Sequence, residues 1–155
     1  METLTQNQAM AITAFAGGAI GSILAISFIF YVLLIIADWK IFTKAGEKGW
    51  KSIIPIYNVY LTFKIAGIKS WFWITFCATL VQGIISGIAG PESTVTTITY
   101  IISIIIDLVA YILFCGKMSK AFGKGTGFAI GMFFFPNIFT LILGFGSAEY
   151  QGIEE

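Results

Sequence analysis

The sequence places one carboxylate deep inside an apolar stretch. Asp107 follows a run of isoleucines and stands ten residues before Lys117, so on a helix it lies about 15 Å from the nearest cation. A carboxylate at that depth is costly and normally faces polar partners, which makes hydrogen-bonding residues at the same level on other segments its natural company. Counting back from Asp38 reaches Ser27, counting forward from Trp71 reaches Gln82, and counting forward from Thr126 reaches Asn137. Each lies about 16 Å in. One such residue per segment would form a polar layer across the middle of a bundle. Tyr100, Ser103 and Tyr111 share the helical face of Asp107, which favours an inward orientation. The layer has two readings: a satisfied hydrogen-bond cluster around a neutral Asp107, or a site that binds a ligand or relays protons.

A second group comprises Tyr57, Asn58, Tyr60 and Lys64, at the end of a stretch without charge that runs from Ser52 to Phe63. On a helix Lys51, Asn58 and Thr62 fall in one stripe, with Tyr57, Tyr60 and Lys64 opposite. Either the helix packs against others while Lys64 reaches for headgroups, or these side chains form an entrance pocket for an anionic or polar group. The loop GKMSKAFGKGTGF carries Lys117, Lys120 and Lys124. It lacks the glycine spacing and the Ser or Thr after Gly-Lys of a phosphate-binding P-loop. Its lysines suit anionic lipid headgroups instead.

Catalysis has little to work with. The chain has no histidine, no cysteine pair at metal spacing and no carboxylate cluster, so neither a metal site nor a cofactor is expected. Ser119 with Lys120 and Ser70 with Lys69 are the nearest nucleophile and base pairs, but sequence neighbours do not face each other on a helix. A membrane-embedded hydrolase is therefore the weakest reading. Cys77 and Cys115 both fall in apolar stretches and are expected as free thiols. The lysines form no basic groove interleaved with aromatics, so nucleic acid is not expected as a partner.

The elements that position these residues follow from composition. With 57% hydrophobic and 11% charged residues, the chain is far from the mixture of a soluble domain. The expectation is an all-α integral membrane protein forming a single domain over residues 1–155, with four transmembrane helices at about 9–37, 70–90, 94–116 and 126–147. The first block has Glu2 rather than lysines before it, the wrong flank for a cleaved leader, so it is expected to persist as a helix. Ser52–Phe63 reaches only about 18 Å as a helix, short of the roughly 30 Å hydrocarbon core. It is therefore expected within a short re-entrant or interfacial helix at about 52–66, capped by Ser52, with Pro55 in its first turn and Gly67 as its stop.

All nine basic residues are lysines. With that short helix not crossing, Lys40, Lys44, Lys48, Lys51, Lys64, Lys69, Lys117, Lys120 and Lys124 share one side, the cytoplasmic one by the positive-inside rule. Glu2, Glu92, Glu149, Glu154 and Glu155 are expected opposite, with both termini outside. Trp39, Trp50, Trp71 and Trp73 fall at the lysine boundary, where indole rings favour the headgroup zone. Small residues let helices approach in lipid, so Gly17 and Gly21, Gly83 and Gly87, and Gly123, Gly127 and Gly131 are expected at helix contacts, within one chain or between copies.

The segments GWKSIIPIYNVYLTFKIAG, AFGKGTGF and LGFGSAEYQG together resemble a family of small bacterial integral membrane proteins with no established function. The resemblance runs through most of the chain from Trp39. Some of the family's members are labelled signal peptidase I, an activity that elsewhere goes with an external β-rich domain and an external Ser and Lys pair, neither of which is expected here. What the resemblance implies is a shared fold. The functional expectation is a non-enzymatic polytopic protein of the bacterial inner membrane that binds or moves a small ligand, ion or lipid. The alternative is an accessory subunit that docks on a larger membrane complex through a glycine-lined face.

Overall fold

The computed structural model describes residues 2–153. They form six α-helices, α1 (Glu2–Lys44), α2 (Pro55–Ile65), α3 (Lys69–Ala89), α4 (Thr94–Ala121), α5 (Thr126–Phe134) and α6 (Pro136–Phe145), with a 3-10 turn at Gly49–Ile53. Among the described residues three helices, α1, α3 and α4, are long and apolar enough to cross a membrane. The described residues are thus all-helical, with three candidate membrane spans. The side chain of Glu2, and Glu154 and Glu155, whose side was anticipated from charge, lie outside the described residues.

Helix α1 has 43 residues and is about 64 Å long, roughly twice the hydrocarbon thickness. It ends where Gly46 adopts φ 77° and the Glu47 amide reaches back to the Phe42 carbonyl at 2.8 Å, a Schellman stop. Helix α2 ends in the same way, with Gly67 at φ 70° and the Ile68 amide on the Phe63 carbonyl at 3.0 Å. Its start differs from expectation. Pro55 occupies the first turn, but the residue before it, Ile54, offers no side-chain cap, and Ser52 is buried in the preceding turn with its hydroxyl unpartnered.

The largest departure lies in the segment expected as a fourth continuous span at 126–147. It is two short helices, α5 and α6, that break at Phe135 and fold back on each other. Pro136 has no amide hydrogen and cannot continue α5, while it suits the first turn of a new helix. The reversal is sealed where the Phe128 and Phe139 rings meet edge to face at 4.7 Å and where Phe139 lies on Gly131, leaving no room for a Cβ. The backbone carbonyls freed at the break are covered by Tyr111 of α4, whose hydroxyl donates to Met132 O at 3.1 Å and Phe133 O at 3.3 Å.

Helix α6 consequently returns to the lysine end, where Lys44 Nζ donates to Leu143 O at 2.6 Å and Gly146 O at 2.8 Å. A cation there matches the negative end of the helix dipole. Gly144 allows the approach of α1, since a Cβ would meet the Ala37 backbone at 2.7 Å. Beyond α6 the chain lies across the lysine end: Tyr150 Oη donates to Ile65 O at 3.1 Å and the Gln151 amide to Ala121 O at 2.7 Å. Glu149, expected opposite the lysines, therefore sits beside them, and the described C-terminal residues lie at the other end of the molecule from the start of α1.

The buried core sits at that same end. Ile41 and Phe42 of α1, Leu61 and Ile65 of α2, Cys115, Met118 and Phe122, Met132 of α5 and Leu143 of α6 form one cluster. Residues 5–33 of α1, by contrast, are all exposed. A Cβ added at Gly17, Gly21, Gly83, Gly87 or Gly127 would meet nothing within 4 Å, so the close contacts expected at these glycines are not made within the described chain. Gly131 does make such a contact, with Phe139 of α6, whereas Gly123 lies in the turn after α4 and is covered by the Gln151 side chain. Cysteines introduced as Lys120→Cys and Glu149→Cys should react with an impermeant thiol reagent from one side of the membrane and Glu92→Cys from the other. Reaction of position 149 together with 92 would instead mean a full fourth crossing.

Candidate functional site

A cavity of about 530 Å³ opens between α1, α2, α3 and α4, lined by Asp38, Asn58, Thr62, Thr75, Asp107 and Tyr111 with Val59, Phe63, Ala110 and Phe114. Its polar wall is built from α2. Asn58 Nδ2 donates to Asp38 Oδ2 at 3.0 Å and to Ser52 O at 3.1 Å. Thr62 Oγ1 bonds the Asn58 carbonyl one turn back at 2.8 Å and stands 3.2 Å from Asn58 Oδ1. With both faces of its amide engaged, Asn58 is held in one orientation and ties the end of α1 to α2. Across the cavity, no hydrogen bond or ion pair reaches Asp107 among the described residues. Two carboxylates therefore face one space whose lining contains no cation.

The layer anticipated from depth is not what the helices assemble. Ser27 lies exposed on the projecting half of α1, and Asn137 is exposed at the start of α6. Gln82 joins α3 to α4 through Nε2 and Thr96 O at 3.3 Å, away from the cavity, with its Oε1 buried and unpartnered. Equal depth had assumed four parallel spans. The reversal at Phe135 and the divergence of α1 remove that premise. Asp38 and Thr75 join the site from positions the sequence does not single out, because Asp38 reads as the polar end of a span and Thr75 as one hydroxyl among many.

The second group divides as its helical stripes require. Asn58 and Thr62 face the cavity, whereas Tyr57 and Tyr60 turn to the opposite side of α2. There Tyr60 packs on Phe72 at 5.3 Å and on Tyr57 at 5.8 Å, beside a smaller space of about 380 Å³. Lys64 is not free at an entrance. Its Nζ pairs with Glu47 Oε1 at 2.6 Å, and Lys51 Nζ pairs with Glu47 Oε2 at 2.6 Å. Ser119 is buried, and its hydroxyl faces the carbonyls of Gly125 at 2.9 Å and Lys124 at 3.2 Å, which ties the turn after α4. Ser70 is exposed at the start of α3. Both cysteines are free, and among the described residues no group of three His, Cys, Asp or Glu side chains could hold a metal ion.

Glu47 joins the loop after α1 to the turn before α2 and to the end of α2 itself. Hydrogen bonds from Lys51 and then Lys64 hold its carboxyl below the ordinary carboxylate range. A depressed folded value means the contribution to stability is present above the unfolded pKa, 4.5, and is lost as pH falls through the folded value. Melting of the wild type should therefore drop as pH is lowered from 6 towards 3 by more than melting of Glu47→Gln. Equal acid sensitivity in the two would remove Glu47 as the tie.

No curated protein and no solved structure matches the chain. One family model does, over residues 50–153, a stretch that takes in Asn58, Thr62, Thr75 and Asp107 but not Asp38. By that match the chain belongs to the family of unknown function DUF5684.

Proposed function

We propose that this protein is a non-enzymatic component of the bacterial cytoplasmic membrane that binds a small ligand carrying positive charge or several hydrogen-bond donors. The observation that carries this reading is the convergence of Asp38 and Asp107 on one cavity whose lining offers no cation. An ionisable side chain in a membrane span is expensive and ordinarily marks a ligand or ion path. A volume of about 530 Å³ falls in the range of small-molecule sites. The lysine end is taken as the cytoplasmic side. Crossings by α1, α3 and α4 then put the N-terminus outside and the C-terminal residues inside, with α5 and α6 as a re-entrant hairpin.

The test uses purified full-length protein in nanodiscs, titrated with sodium, ethylammonium, tetramethylammonium and putrescine while tryptophan fluorescence is recorded. At least one of these cations should saturate. Asp107→Asn and Asp38→Asn should each weaken it about tenfold, with a melting temperature within about 4 °C of the wild type. Saturation by none of them, or equal affinity in well-folded variants, would refute the reading.

A second reading is an accessory subunit, favoured by the exposed residues 6–33 of α1 and by Gly17 and Gly21, which leave its surface open to a partner helix that also presents small residues. Purification in mild detergent should then recover a stoichiometric membrane partner that Gly17→Leu with Gly21→Leu releases. A lone monodisperse species counts against it.

A further inference from the structure

A second polar cavity lies at the lysine end, independent of the one that holds the aspartates. It measures about 410 Å³ and is lined by Lys117, Lys120 and Ala121 of α4 and by Gln151, Gly152 and Ile153 of the C-terminal strap. Lys117 and Lys120 are three residues apart and so lie on one helical face. Neither takes part in an ion pair among the described residues. Both ion pairs found there belong to Glu47, with Lys51 and Lys64.

The opposite wall is held rigidly. The Gln151 amide is bonded to Ala121 O at 2.7 Å. The Gln151 side chain lies over Gly123, a residue at φ 62° whose missing Cβ leaves the necessary space. Ile153 lies in the same way over Gly67, and Tyr150 packs edge to face on Phe122 at 5.5 Å. The strap is thus fixed to two turns, and it faces two ammonium groups that no carboxylate neutralises among the described residues. Lysine is a common phosphate ligand, acting as a point charge, and headgroup phosphates lie at the depth where flanking lysines sit.

We infer that this cavity binds a phosphate group, presented by a lipid headgroup or by a phosphorylated solute, between Lys117 and Lys120 on one side and the strap on the other. The full-length protein in maltoside micelles is titrated by calorimetry with dihexanoyl phosphatidic acid, with dihexanoylglycerol, which lacks the phosphate, and with inorganic phosphate. Phosphatidic acid should saturate and dihexanoylglycerol should not. Lys117→Gln with Lys120→Gln should weaken binding about tenfold or more, Lys117→Arg with Lys120→Arg should keep it, and Lys69→Gln, outside the cavity, should leave it unchanged. Lysine-dependent saturation by inorganic phosphate as well identifies a soluble source, and saturation by phosphatidic acid only identifies lipid. Absence of saturation by either, or an affinity indifferent to the double glutamine substitution, overturns the inference. Lys69, Lys117 and Lys120 are all exposed, so the variants test charge rather than folding.

Discussion

Pro136 has no amide hydrogen, and much of the molecule follows from that. A helix running through this position would lose one backbone bond and crowd the carbonyl four residues earlier. A single proline need not do more than kink a helix. Here Tyr111 takes the freed carbonyls of Met132 and Phe133, and Phe139 settles on Gly131, so the reversed arrangement satisfies groups that a straight span would leave open. Carbonyls freed from a helix ladder need another donor, and the Tyr111 hydroxyl supplies it. The return of α6 then brings Lys44 to its last carbonyls and carries the strap to the lysine end.

The distribution of buried residues fits the same physics. Lipid gives helices no hydrophobic reason to associate, and much of α1 is accordingly bare. Burial concentrates instead at the lysine end, around Phe42, Leu61, Met118 and Phe122. Glu47 and Asn58 fasten the same region through directed bonds. Glu47 spans two segments through its lysines, and Asn58 binds α1 to the turn before α2. The aspartate cavity thus has one wall of fixed geometry and one carboxylate, Asp107, that no described residue engages.

The two polar cavities carry opposite charge. One presents Asp38 and Asp107 among apolar helix faces, the other Lys117 and Lys120 beneath the strap. They draw on successive stretches of α4, residues 107–114 and 117–121, and the helices that line them end in turns with a glycine at positive φ: Gly67 after α2 and Gly123 after α4. Such turns fix the direction in which the next segment leaves, α3 after Gly67 and α5 after Gly123.

Local properties were legible in the sequence. The apolar blocks of α1, α3 and α4, the clustering of lysines at their ends, the shortness of the segment around α2, the opposed stripes of Asn58 and Tyr57, and the anomaly of Asp107 all depend on helical periodicity and hydropathy, which are properties of one segment at a time. Only the tertiary structure decided that Asp38 meets Asn58, that Gln82 and Asn137 stand apart from Asp107, that Lys64 is held by Glu47, and that the last apolar block turns back at Phe135. Those outcomes depend on where one helix lies against another. In lipid that is settled by close packing and by which freed backbone groups find a donor, terms that pair residues far apart in the chain and leave no period in the sequence.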